Sequence, residues 1–110
     1  SPITGNVASD SGKDNVKVFV VDSSYLRFYI DGVKNPDIKV KEGDKVRIEF
    51  SSSEGFHDFV IDEFNAATER VSVGGSTSVE FVADKKGTFE YYCSVGQHRA
   101  NGMFGKFIVE

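Results

Sequence analysis

Cys93-Ser94-Val95-Gly96-Gln97-His98-Arg99-Ala100-Asn101-Gly102-Met103 concentrates the chemistry of this chain. It holds the only Cys, the only Met and one of the 2 His. The spacing, C-x4-H-x4-M, puts a thiolate, an imidazole and a thioether in one short loop. Soft sulfur with imidazole suits copper, above all copper that cycles between Cu(I) and Cu(II). Such a site has two imidazoles and a thiolate in a trigonal plane, with a weak, long axial ligand that is often a thioether. The loop supplies one imidazole. The chain has one more, His57, in the upstream segment Gly55-Phe56-His57-Asp58-Phe59.

The flanks of the loop read as strands. Phe89, Tyr91 and Cys93 share one face of the strand that enters it. Residues 105–110 form the strand that leaves it, with Phe107 and Val109 inward. Upstream, 16–21 is an apolar run, and the turn signal Asp22-Ser23-Ser24 separates it from a second run at 25–30. Asn35-Pro36-Asp37 breaks the chain; Ile38 and Val40 then alternate with Lys39 and Lys41. Glu42-Gly43-Asp44 signals a hairpin before Val46, Ile48 and Phe50, which alternate with Lys45, Arg47 and Glu49. This period of two marks strands with one wet face. A strand at 59–61 follows His57, and 62–70 holds a short helical turn near Ala66-Ala67. Gly74-Gly75 leads into Ser76–Val82, where Val79 and Phe81 face inward, and 84–87 is a turn. Short strands with turns about every ten residues suggest a β-sandwich. An immunoglobulin-like sandwich normally shows a Cys pair and a core Trp; one Cys and no Trp argue against it.

The loop, together with His57, resembles the copper site of the cupredoxins, small type 1 (blue) copper proteins of the plastocyanin and azurin kind, and the likeness runs over 16–110. It implies an all-β, Greek-key β-sandwich of about eight strands. His57, Cys93 and His98 then become equatorial ligands and Met103 the axial ligand of one copper ion. The implied function is one-electron transfer between transient redox partners rather than catalysis. An alternative is an open axial position that binds, oxidises or reduces a small molecule such as nitric oxide or nitrite. Ser53-Glu54-Gly55-Phe56 is also similar to a segment of nitrosocyanin, a red copper cupredoxin with a Glu ligand. Met103, Glu54 and water are therefore the candidates for the axial place. In the family the loop imidazole shows its edge through an apolar docking patch. Here that is His98, with Val95, Ala100, Met103 and Phe104 around it and Arg99 as a cation favouring an anionic partner. Asp58 stands where cupredoxins often carry a polar residue that ties the two loops. The resemblance further implies an extracytoplasmic place, in the periplasm or on the outer face of the cell membrane. Residues 1–15 are a flexible polar leader, read as a frayed terminus or as a spacer behind a signal or membrane anchor. The protein is expected to be a monomer.

Composition bounds these readings. A chain of 110 residues fits one domain, and 39% hydrophobic residues with ten Phe supply one core. The net charge of −4, without a Lys/Arg stripe, excludes nucleic acid as an expected partner. No apolar run approaches the roughly 20 residues of a membrane helix, and a single Cys excludes an intrachain disulfide. Taken singly, a lone Cys is usually a buried core residue. Zinc held by Cys and two His is a further alternative, weakened by the thioether. A thiol protease is remoter, for want of a cleft around Cys93 and His98. With 2 His the chain cannot build a second His-rich copper centre.

Overall fold

The computed structural model describes residues 15–110, so the expected leader lies, except for Asn15, outside the described residues. Among the described residues ten strands follow one another: β1 Val16–Ser24, β2 Arg27–Ile30, β3 Val33–Lys34, β4 Ile38–Val40, β5 Lys45–Glu54, β6 Val60–Ile61, β7 Ala66–Ala67, β8 Ser76–Val82, β9 Gly87–Tyr92 and β10 Phe104–Val109. The surplus over the expected eight comes mainly from two-residue strands, too short for a periodic signal. No α-helix occurs among the described residues, and none there is long and apolar enough to cross a membrane.

The strands form two five-stranded sheets, β3-β2-β1-β5-β8 and β4-β10-β9-β6-β7. β5 carries the first sheet's inward face: Val46, Ile48, Phe50 and Ser52 are buried, while the residues between them are only partly so. β1 runs parallel to β5 and β8 antiparallel to it. In the second sheet β10 pairs antiparallel with β9 and parallel with β4. Parallel neighbours cannot be joined by a tight turn. The chain therefore crosses between sheets, giving the all-β, Greek-key sandwich expected from the sequence.

Three local readings are corrected. Asp22-Ser23-Ser24 is not a turn but the end of β1. Asp22 accepts the hydroxyls of Ser51 (3.0 Å) and Ser53 (2.6 Å), and the buried Ser23 donates to the Ser51 carbonyl (2.8 Å). Polar residues that resemble a turn here bond across the β1–β5 pair instead. The reversal falls at Tyr25, whose φ is 54°. Glu42-Gly43-Asp44 is a turn, with Asp44 accepting the Lys41 N–H at 2.8 Å, but not a hairpin. It carries the chain from β4 in one sheet to β5 in the other. The helical turn lies at Asp62–Phe64, and Ala66-Ala67 is strand. Asn65, at φ 52°, closes that turn onto the Asp62 carbonyl and reverses the chain, so that Ala66 and Ala67 pair with Ile61 and Val60.

Between the sheets lie two aromatic groups. Phe28 meets Phe59 and Tyr91 edge-on at 5.6 and 5.2 Å, and Phe59 stacks on Tyr91 at 5.0 Å. Phe64 packs against Phe81, Phe89 and Phe107. Tyr91 also anchors the crossing before β4: its hydroxyl donates to the Pro36 carbonyl at 2.6 Å. Burial pushes its phenol pKa well above the ordinary value, so it stays a donor. A Cβ on Gly105 would lie 2.4 Å from that ring, which is why the β9–β10 pair needs glycine there. Tyr91→Phe leaves the Pro36 carbonyl without this donor. The expected loss is about 1–2 kcal/mol of unfolding free energy, read by denaturant titration.

Candidate metal centre

Cys93 follows β9 directly, and Met103 directly precedes β10. The intervening loop closes on itself: the Cys93 N–H donates to the Met103 carbonyl (3.2 Å), and the Met103 N–H to the His98 carbonyl (3.0 Å). Positive φ at Gly96 (47°) and Gly102 (103°) lets the loop turn back within these few residues. His57 comes from the other sequence segment. It is held by a two-way bridge with Val71, His57 N–H to Val71 carbonyl at 3.0 Å and the reverse at 2.9 Å. Together these elements bring His57, Cys93 and His98 to one end of the sandwich.

Their donor atoms converge. His57 Nδ1 lies 3.2 Å from His98 Nδ1, and Cys93 Sγ lies 3.8 and 3.5 Å from those two nitrogens. A point equidistant from the three lies about 2.0 Å from each, near the length of a metal–nitrogen bond. The tautomer of His57 follows from its other nitrogen: Nε2–H donates to the Glu54 carbonyl at 2.7 Å, so Nδ1 offers a lone pair. Gly55 makes that contact possible. Its φ is 92°, and a Cβ there would lie 2.6 Å from His57 Nε2. Burial is the main cause that lowers the His57 pKa below its ordinary value, and burial raises that of the Cys93 thiol. Neutral imidazole is the form a metal takes.

Asp58 joins the two segments as expected. Its carboxylate accepts the Ser94 N–H at 2.7 Å and the Ser94 hydroxyl at 2.5 Å. Arg70 covers that buried carboxylate, with Nε 3.6 Å from it and an Nη2 bond of 3.2 Å to the Ser94 hydroxyl. Met103 is fully buried beside Cys93 in sequence-distant contact through its backbone. Glu54 does not join the cluster. Its carbonyl faces the outer nitrogen of His57, its side chain is exposed, and the converging group contains no carboxylate.

A family model described as "Multicopper oxidase" matches residues 60–110. The copper-containing nitrite reductase of Neisseria gonorrhoeae is 34% identical over 98 residues, 78% of this chain but 25% of that protein. Halocyanin of Natronomonas pharaonis is 32% identical over 109 residues, 96% of this chain and 63% of that protein. The chain thus spans less than two thirds of the length of these relatives. Rusticyanin from Thiobacillus ferrooxidans superposes with a TM-score of 0.70 at 26% identity, over 86% of this chain and 77% of that one. The chain has the cupredoxin fold.

Two surface features depart from the sequence expectation. Arg99 is no free cation: its guanidinium bonds to the Glu90 carboxylate and stacks on the Tyr92 ring at 3.9 Å. The Tyr92 phenol, donating to Asp62 at 2.6 Å, is pushed up to about 12. The charge of Arg99 is therefore already met by Glu90, with the Asp62 carboxylate nearby. The expected patch also needs revision, since Met103 is buried while Phe104 and Phe56 are about half exposed. Sequence reasoning missed the wall at Gly55, the cover at Arg70, and two residues near Met103, Arg27 and Asn35. Their only signals were a glycine before an aromatic, a surface charge and a turn residue.

Proposed function

We propose that this protein holds one copper ion on His57, Cys93, His98 and Met103 and carries single electrons between redox partners. The convergence of two imidazole nitrogens and one sulfur, with the His57 tautomer already fixed, carries this reading. The donors fit copper because sulfur and imidazole satisfy both of its oxidation states. When bound, copper supplies the one-electron couple. The chain supplies the rest. The Glu54 carbonyl holds the ring of His57, Asp58 holds Ser94 beside Cys93, and a backbone bond ties Met103 to the His98 carbonyl. Ligands so fixed move little as charge changes, which favours fast transfer. His57 is buried and His98 partly exposed, so His98 is the imidazole that a transient partner meets. We place the protein outside the cytoplasm, acting as a monomer with redox partners, as the family resemblance implies; tethering through an N-terminal segment is part of that proposal.

Titrating the metal-free protein with Cu(II) tests this reading. Uptake is expected to stop at one ion per chain, with intense thiolate-to-copper absorption that disappears on reduction and does not respond to nitrite or nitric oxide. A colourless Cu(II) adduct would overturn the reading. A spectrum that moves with added nitrite would favour the open axial position instead.

A further inference from the structure

The ligand loop is fastened at two ends by different sheets. At the Cys93 end Asp58, just before β6, holds Ser94. At the Met103 end the fastening comes from the β2–β3 hairpin of the opposite sheet. Arg27 Nη1 donates to the Asn101 carbonyl at 3.1 Å, and Asn35 Nδ2 to the Gly102 carbonyl at 3.2 Å. These are the two carbonyls immediately before Met103.

Both donors are themselves fixed. Arg27 Nη1 also donates to the Leu26 carbonyl at 2.7 Å, which sets the direction of its fork. Its guanidinium lies against Gly102, where a Cβ would come within 3.0 Å of Nη1 and 3.3 Å of Cζ. Asn35 sits at φ 44°, a conformation asparagine tolerates, and clasps Phe28 twice: its N–H donates to the Phe28 carbonyl (2.7 Å) and its Oδ1 accepts the Phe28 N–H (2.9 Å). Phe28 is a fully buried member of the aromatic core. The position of Gly102, and through it of Met103, is thereby referred to the core rather than to the loop alone.

We infer that Arg27 and Asn35 are positioning residues for the axial ligand, a latch that sets where Met103 stands independently of the Asp58 fastening at Cys93. The inference rests on the reading of Met103 as axial ligand. It separates control of the axial bond, which tunes the reduction potential, from control of the equatorial set.

Two charge-conserving variants test it. Arg27→Lys keeps the cation but loses the planar fork, and Asn35→Gly keeps the positive φ but loses the amide. In the metal-free protein, hydrogen exchange at the Met103 amide is expected to quicken about fivefold in each, the change for net loss of one hydrogen bond to the loop, with the Ser94 amide unaffected. In the copper-loaded protein, the potential is expected to shift in the same direction as in Met103→Leu, by less, with the thiolate absorption retained. Arg27→Lys leaves the Phe28 clasp untouched, so it decides the matter if Asn35→Gly proves unstable. Unchanged exchange at Met103 in the variants overturns the latch. If Met103→Leu leaves the potential where it was, the axial reading falls instead, and with it the latch's role in tuning, while the exchange result still judges the latch itself.

Discussion

Cys93→Ser is expected to fold, to bind copper weakly if at all, and to show no intense visible absorption. The absorption belongs to charge transfer from the thiolate, so its loss is complete rather than graded. Affinity should fall by more than the roughly 10- to 100-fold typical of removing a group that only supports a ligand. The fold should survive because serine nearly matches cysteine in volume and the hydroxyl enters a polar spot, beside the imidazoles of His57 and His98. The measurement is a copper titration followed by absorption, alongside thermal unfolding of the metal-free protein. Retention of the band in Cys93→Ser would mean that the chromophore is elsewhere and that the three-atom convergence is incidental. The parent's colour itself separates copper from zinc, since a d10 zinc site shows no such visible band.

The convergence of His57, Cys93 and His98 was legible because its chemistry is written in rare residues. With one Cys, one Met and 2 His, few combinations exist, and the C-x4-H-x4-M spacing bridges two adjacent strands. The long alternating strands were legible for a related reason: Val46, Ile48 and Phe50 must all face inward for β5 to bury anything. What failed were the places where polar side chains decide the path. Asp22, Ser23 and Ser51 have the composition of a turn, yet they bond across parallel strands that meet only after a crossover, and no local signal shows which neighbour will arrive. The same holds for Arg27 and Asn35. A loop asparagine and a strand-end arginine announce nothing until the hairpin carrying them is packed against a loop some seventy residues away. Supporting residues are defined by tertiary contact, whereas ligands are defined by what their atoms can donate.

Gly55 is such a supporting residue, and Gly55→Ala should have the next largest effect on the site. Two costs add. Alanine at φ 92° is strained by about 1–3 kcal/mol wherever it occurs. The second cost is particular to this place: the new methyl would lie 2.6 Å from His57 Nε2 and 3.2 Å from Cε1. The ring has nowhere to retreat, because His57 is 1% exposed and its far nitrogen already faces Cys93. It must tilt, which breaks the bond to the Glu54 carbonyl, worth about 1 kcal/mol, and turns Nδ1 away from the point it shares with Cys93 and His98. A fall in copper affinity of about 10- to 100-fold is expected, the scale for losing a ligand's orienting partner. Gly96→Ala is the control. Gly96 also has positive φ, 47°, and stands between Cys93 and His98, but a Cβ there meets nothing within 4 Å. It should therefore cost stability alone and leave copper affinity near that of the parent. Competition titrations against a chelator compare the two. Equal affinity losses in both would reduce the Gly55 effect to backbone strain, and unchanged affinity in Gly55→Ala would show that His57 does not depend on the wall behind it.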